Sequence, residues 1–197
     1  IFNPKKLTIV EIDRELIPSL EKRFINFNNL EIVNKDIINF DFDNDIDLII
    51  SNLPYNISSQ ILVKICISKN LPSNLILMFQ KEFANRLRDN KLNSLNSLVS
   101  CFYEIGVNFN VSKNCFRPIP KVESSVLLFS KKKQQLIKSY EISKFIEFKR
   151  KIFSYKRKTL KKLLKEYDLM NQDVFLNKRP EEIDLKLLIK IFRETNL

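Results

Sequence analysis

Four consecutive residues, Asn52-Leu53-Pro54-Tyr55, combine the groups needed to make a nucleophile of an amino group carried by an aromatic base. Such a nitrogen reacts poorly because its lone pair is delocalised into the ring. Two acceptors placed on its two N–H bonds pull it toward tetrahedral geometry and free the lone pair. The Asn52 side-chain oxygen can be one acceptor and the Leu53 backbone carbonyl the other. Pro54 fixes its own φ and biases Leu53 toward an extended conformation, which aims that carbonyl one way. Tyr55 offers a ring face for the base, a contact worth ~1–3 kcal/mol. A sulfonium methyl donor leaves as a neutral thioether, and the product amine can lose its proton to water, so no general base is required. Holding the methyl and the nitrogen close and in line then supplies most of the rate.

Two carboxylates stand at similar places in the chain. Glu11 and Asp36 each end an apolar, strand-like run, and ligands of open α/β sheets bind outside the carboxyl ends of strands. Glu11 can accept from both hydroxyls of a ribose, and Asp36 from an adenine amino group. A strand-end carboxylate is also a common turn or helix-cap residue, and taken singly that reading is the stronger.

Composition narrows the chemistry. The 197 residues include no histidine, which excludes His-based catalysis and His-ligated metals. Cys66, Cys101 and Cys115 lie far apart without metal or redox spacing, a pattern suited to a reducing compartment. No apolar run reaches the ~18 residues of a membrane span. The formal charge of +11 favours a polyanionic partner, although coding bias toward Lys, Asn, Ile and Phe accounts for part of it. There is a single glycine, Gly106, where average usage is roughly 7%. A nucleotide-like cofactor normally needs glycines for close backbone approach, so either the chain binds none or the glycine-bearing segment lies elsewhere.

The elements that must position these groups alternate as in a mainly parallel α/β fold. Strands are expected at 7–10, 30–33, 47–51 and 75–79, with helices at 16–24, 59–67 and 81–88. Ser58 is a candidate cap for the second helix. Apolar stretches at 105–109 and 125–129 read as an antiparallel pair closing the sheet. A linker is expected at Lys131-Lys132-Lys133. It divides residues 1–133 from a helical, basic segment, 134–197. From 141 to 167 the apolar positions Phe145, Phe148, Ile152, Phe153, Leu160, Leu163 and Leu164 keep helical spacing. Between them Lys149, Arg150, Lys151, Lys156, Arg157, Lys158, Lys161 and Lys162 form an expected basic face. A last helix is expected at 185–193.

Asn-Leu-Pro-Tyr after a buried strand resembles motif IV of the adenine amino-methyltransferases. Further runs resemble the KsgA (RsmA) family of small-subunit rRNA adenine N6,N6-dimethyltransferases. They are Leu7 to Arg14, Asp36-Ile37-Ile38-Asn39-Phe40, Asn52 to Ser58, Phe79-Gln80-Lys81-Glu82, Phe116 to Ser124 and Lys156-Arg157-Lys158-Thr159-Leu160. The resemblance covers nearly the whole chain, in order. It implies a Rossmann-like class I methyltransferase sheet followed by a small C-terminal all-α domain that binds RNA. It also implies S-adenosyl-L-methionine as cofactor, and two adjacent adenines near the 3′ end of small-subunit rRNA as targets. By position, Glu11 holds the donor's ribose, Asp36 with Ile37 its adenine, and Asn52 borders the donor's methyl while activating the target nitrogen with Leu53 and Pro54. Tyr55 and Phe116 sandwich the flipped base. Arg117, Lys121, Lys156, Arg157 and Lys158 meet RNA phosphates, giving salt-sensitive binding. The implied protein is a cytoplasmic monomer in a bacterium, or an organellar one. It works on a small-subunit precursor without metal or membrane.

Two other functions compete with this one. The chain can be a large-subunit rRNA adenine methylase, which Arg179-Pro180-Glu181-Glu182-Ile183 and the Phe116 run argue against. It can also be a non-catalytic ribosome-assembly or nucleic-acid-binding protein that kept the fold and lost the pocket, which the intact Asn52–Tyr55 run argues against and the absent glycine-rich turn argues for. The chain departs from the family pattern in three places. Its sequence begins after the point where the family has its first strand and glycine-rich turn, Ser51 stands where glycine is usual, and the segment 89–97 is short and lacks glycine. These 197 residues are therefore expected to be part of a longer product, lacking a mid-sheet strand and half the donor pocket. The corresponding prediction is weak donor binding. Titration calorimetry of this chain with S-adenosylmethionine should show no micromolar site, and finding one contradicts the expectation.

Overall fold

The structure, a computed structural model, describes residues 4–42, 45–155, 157–167 and 173–195. The backbone forms two compact units, Ile1–Phe42 and Asp43–Leu197. In the first, β1 (Leu7–Glu11) and β2 (Leu30–Asn34) are parallel and joined by α1 (Ile17–Arg23). The register runs from Leu7 beside Leu30 to Glu11 beside Asn34. Pro18 occupies the first turn of α1, where its missing N–H costs nothing, and Lys22 and Arg23 lie in the last turn, where cations suit the helix dipole. A short 3-10 turn, Ile37–Asn39, follows β2. Ile9, Val10, Ile32 and Val33 are only half-buried, and Phe42 is the one fully buried residue among those described in this unit. Among the described residues β1 pairs with β2 alone.

The second unit holds a four-stranded sheet in the order β3-β4-β6-β5. Its elements in chain order are β3 (Leu48–Asn52), α2 (Ser58–Cys66), β4 (Asn74–Gln80), α3 (Lys81–Arg88), α4 (Asn96–Phe102), β5 (Tyr103–Val111) and β6 (Ser124–Lys131). β3 and β4 are parallel with α2 as the crossover, while β6 runs antiparallel to both β4 and β5. On β4 alternate residues Leu75, Leu77 and Phe79 are buried, packed in the core with Leu62, Leu98, Phe102, Leu127 and Phe129. β3 behaves differently. It pairs only with β4 among the described residues, and Ile50 is 70% exposed, although its apolar run is that of a strand covered on both faces.

The chain after β6 adds α5 (Ile142–Phe153), α6 (Leu160–Leu163), α7 (Asp173–Leu176) and α8 (Leu185–Glu194) to the same unit. Phe145 and Phe148 of α5 pack on Phe192 of α8, with centroids 5.2 and 5.5 Å away. Glu141 accepts from Arg193 Nε at 2.8 Å and from the Lys138 amide at 2.8 Å, while Arg193 also donates to the Leu136 carbonyl. This clamp fixes α8 against the segment leaving the sheet, and the Arg193 guanidinium holds the Glu141 carboxyl below its usual range.

Two expectations need correction and a third is made finer. The helical spacing over 141–167 is carried by two helices, because the chain leaves the helix after Phe153 and resumes at Leu160. There the Ser154 hydroxyl bonds back to the Arg150 carbonyl, a contact that weakens a helix end. The Leu160 amide is instead taken by the Lys178 carbonyl at 2.8 Å. Lys149 is not on a solvated basic face. It is 4% exposed, and its ammonium donates to the Ser94 carbonyl at 2.7 Å and to the Ser94 hydroxyl at 3.2 Å. Ser58 does not accept as a helix cap; its hydroxyl donates to the Pro54 carbonyl. The short helix α4 was not expected from its Asn/Ser-rich sequence. The Asn93 side-chain oxygen accepts from the Leu95 and Asn96 amides just ahead of it, and burial of Leu98, Val99 and Phe102 secures it.

These buried groups set the alkaline stability. Burial, helped by Arg150, lowers the Lys149 ammonium to about 8, so the unfolded chain binds more protons than the native one between about 8 and 10.5 and stability rises with pH there. Burial raises the Cys66 thiol above its usual range and the Cys101 thiol to about 12; both lose stability as pH rises above 9.0, where an unfolded thiol ionises. Urea titrations should thus show unfolding free energy climbing from pH 8 to about 9 and falling beyond about 10. Lys149→Met should remove the climb, and an unchanged profile in that variant contradicts the assignment.

Candidate functional site

The Asn52–Tyr55 run leaves the carboxyl end of β3 and turns into α2. Its shape follows from what each residue anchors. The Leu53 side chain is buried. The Pro54 carbonyl accepts from the Ser58 hydroxyl at 2.9 Å and from the Ile57 amide at 3.2 Å, closing the loop on itself. The Tyr55 hydroxyl lies 2.9 Å from Ser124 Oγ, at the start of β6. By contrast, neither the Asn52 side chain nor the Leu53 carbonyl takes a hydrogen-bond partner among the described residues. The loop is fixed through the groups around them, and these two acceptors stay available.

A pocket of about 290 Å³ opens beside this loop. Asn52, Leu53, Pro54 and Tyr55 line one side; Phe116, Arg117, Pro118 and Pro120 line the other. The second wall comes from the connection between β5 and β6, with a cis peptide bond between Arg117 and Pro118. Two aromatic residues, together with Asn52, Leu53 and Arg117, thus line one cavity. Sequence reading singled out Asn52, Leu53, Pro54, Tyr55, Phe116 and Arg117, and the pocket brings all six together. It assigned no role to Pro118 and Pro120, whose rigid spacing was the available signal. Lys121 is exposed and outside the lining.

The strand-end carboxylates belong to the other compact unit and are described within it. Glu11 Oε1 accepts from the Asp13 amide at 2.8 Å, and Asp36 Oδ1 from the Ile38 amide at 2.9 Å, capping the 3-10 turn. Both residues therefore do the turn and cap work that strand-end acids commonly do. One oxygen of each carboxylate has no partner among the described residues, and both residues are only half-buried. Asn34 Nδ2 bonds the Glu11 and Ile12 carbonyls, which ties the end of β1 to β2 and sets these two acids on neighbouring strand ends. Ile37 opens the 3-10 turn, half-buried. Two carboxylate acceptors at adjacent parallel strand ends suit the hydroxyl and amino edges of a nucleoside.

The basic C-terminal segment is exposed in part. Arg157 and Lys158 are both exposed, and the Lys158 ammonium sits 3.9 Å from the Tyr155 ring centroid. Lys151 is instead engaged with Glu166 at 2.7 Å and lies over the Tyr167 ring. Lys156 lies outside the described residues. Among the described residues no helix is long and apolar enough to cross a membrane.

Comparison with known proteins places this geometry in a family. Residues 1–194 match the family model described as ribosomal RNA adenine dimethylase. Ribosomal RNA small subunit methyltransferase A of Malacoplasma penetrans is 38% identical over 203 residues, spanning 95% of this chain and 72% of that protein. The protein of the same name from Mycoplasma capricolum is 34% identical, spanning 95% and 77%. Among solved structures, a dimethyladenosine transferase from Plasmodium falciparum superposes with TM-score 0.83 at 26% identity, over 98% of this chain and 82% of that one. The 23S rRNA methyltransferase ErmE shares the Rossmann-like methyltransferase fold, with TM-score 0.67 at 20% identity over 99% and 84%. With its matched motifs, its pocket and its fold in agreement, the chain belongs to the ribosomal RNA adenine dimethylase family.

Proposed function

We propose that this protein transfers methyl groups from S-adenosylmethionine to N6 of two adjacent adenines near the 3′ end of small-subunit rRNA. The observation that carries the reading is the pocket where two free acceptors, Asn52 and Leu53, share a cavity with Tyr55 and Phe116. The relatives named small-subunit methyltransferases support this target over large-subunit RNA. The pocket is what a non-catalytic assembly factor would have no need to keep.

In this mechanism the target adenine leaves its stack and enters between Tyr55 and Phe116. The Asn52 oxygen and the Leu53 carbonyl accept from its two amino hydrogens and turn the lone pair outward. Pro54, whose own carbonyl is held by the Ser58 hydroxyl, aims the Leu53 carbonyl. Glu11 and Asp36 would hold the donor's ribose and adenine through their uncommitted carboxylate oxygens, with Ile37 offering an apolar contact to the adenine. The donor supplies an electrophilic methyl on a sulfonium centre when bound. No side chain removes a proton, consistent with a chain that has no histidine. Arg117 at the pocket, Lys121 beyond it, and Lys156, Arg157 and Lys158 in the helical segment from 134 onward contact RNA phosphates. The protein acts as a monomer in the bacterial cytoplasm, on a precursor of the small subunit.

Two tests follow. In the longer product of which these residues are expected to be part, at saturating donor, Asn52→Ala should lower methyl transfer to rRNA by about 10²-fold or more, the scale on which a lost transition-state hydrogen bond acts. Its RNA affinity should be nearly unchanged and its stability should stay within about 0.5 kcal/mol, because the side chain is exposed and unpaired. Unchanged turnover sinks the mechanism. Replacing Arg157 and Lys158 together by Ala should lower the slope of log affinity against log salt by about 1.4–1.8, two phosphate contacts' worth. A slope equal to that of the parent protein removes both residues from the interface.

A further inference from the structure

The Tyr55 ring can stack a base only if it is held at one height and tilt over the pocket, and the structure contains the device that holds it. Tyr55 sits on a loop, half-buried, free to rotate about its own side-chain bonds unless its far end is fixed. That end meets Ser124, whose Oγ lies 2.9 Å from the phenol oxygen across 69 residues of sequence. Ser124 is fully buried, and its backbone is held from both sides. It pairs with Gln80 of β4 on one flank and with Val111 of β5 on the other. Its neighbour Glu123 is pinned as well. The Glu123 carbonyl accepts from the Lys81 amide at 2.9 Å, and its carboxylate pairs with the Lys81 ammonium at 2.6 Å. Ser124 is therefore a fixed post in the middle of the sheet's end, while Tyr55 is the movable group attached to it.

From this geometry we infer that Ser124 is a positioning residue of the target-base site: its hydroxyl holds Tyr55 as a preset stacking platform opposite Phe116. The inference rests on the base-pocket reading above and adds a residue to it. Ser124 is not in the pocket lining and touches no substrate; it acts through the phenol. The bond ties the Tyr55 hydroxyl to Ser124, so this tyrosine presents its ring as a surface. Preorganisation of this kind spares the base the entropy of ordering its own platform.

The test uses this chain and an RNA hairpin with two adjacent loop adenines, one replaced by 2-aminopurine, whose fluorescence reports stacking. The parent protein should change the fluorescence on binding. Tyr55→Phe keeps the ring and loses the tether; Ser124→Ala loses it from the other end. Each should weaken the stacked complex about 3- to 10-fold, the scale of one hydrogen bond, and the double variant should be no worse than either single one. Ser124→Thr, which keeps a hydroxyl, should restore most of the signal. Circular dichroism checks that Ser124→Ala folds; if it does not, Tyr55→Phe, altered at a half-buried atom, carries the test by itself. Parental stacking in Tyr55→Phe, or losses that multiply in the double variant, overturns the tether while leaving the base pocket standing. No fluorescence change with the parent protein overturns both.

Discussion

Two hydrogen-bond acceptors that must stay unpaired have to be fixed by bonds made elsewhere, and this constraint organises the Asn52–Tyr55 loop. An acceptor satisfied within the protein cannot polarise a substrate amine, whereas one that is loose cannot aim at it. The fold resolves this by anchoring every neighbour. Leu53's side chain is buried, Pro54's carbonyl is closed by Ser58 and Ile57, and Tyr55's hydroxyl is held by Ser124. Among the described residues the acceptors themselves take no hydrogen bond. A site of this sort is stabilised around its chemistry and not through it, in keeping with the place of electrostatic preorganisation in catalysis.

The same separation of duties runs through the rest of the unit. β4 and β6 supply a buried sheet from which both pocket walls project, β3 through its outgoing loop and β6 through the connection that precedes it. The helices after β6 hold each other through Phe145, Phe148 and Phe192, and polar ties fasten them to the rest of the unit. Lys149 reaches the Ser94 carbonyl, and Arg193 clamps Glu141. A buried ammonium is a costly tie, since it must give up water for two oxygens. Its consequence is that α5, which leads into the connection carrying Arg157 and Lys158, is joined to the segment between α3 and α4.

The sequence was legible where local pattern and tertiary demand agreed. The apolar run of β4 and the 81–88 helix form as read, because strand alternation and helical spacing matched the faces that are buried, whereas β3 forms as a strand with Leu48 and Ile50 exposed. The pocket residues were legible for a chemical reason: Asn, Leu, Pro and Tyr in that order make sense together only as a set of acceptors beside a ring. Failures came where contacts distant in sequence decided. Periodicity could not reveal that the chain breaks between Phe153 and Leu160, where the Lys178 carbonyl takes the Leu160 amide, nor that Lys149 turns inward to Ser94. The Asn/Ser-rich α4 is held by burial against its own propensity. Glu11 and Asp36 carry both readings at once, each capping its own turn with one oxygen and leaving the other uncommitted.

The central claim is that the cavity between Asn52–Tyr55 and Phe116–Pro120 receives an adenine with its amino group against the two free acceptors. A crystal structure of the protein with an adenine-containing RNA oligonucleotide tests it most directly. The account predicts a base between the Tyr55 and Phe116 rings, its N6 within about 2.7–3.2 Å of both Asn52 Oδ1 and the Leu53 carbonyl oxygen. An adenine bound in that cavity with N6 turned to solvent, or bound only outside it, contradicts the account.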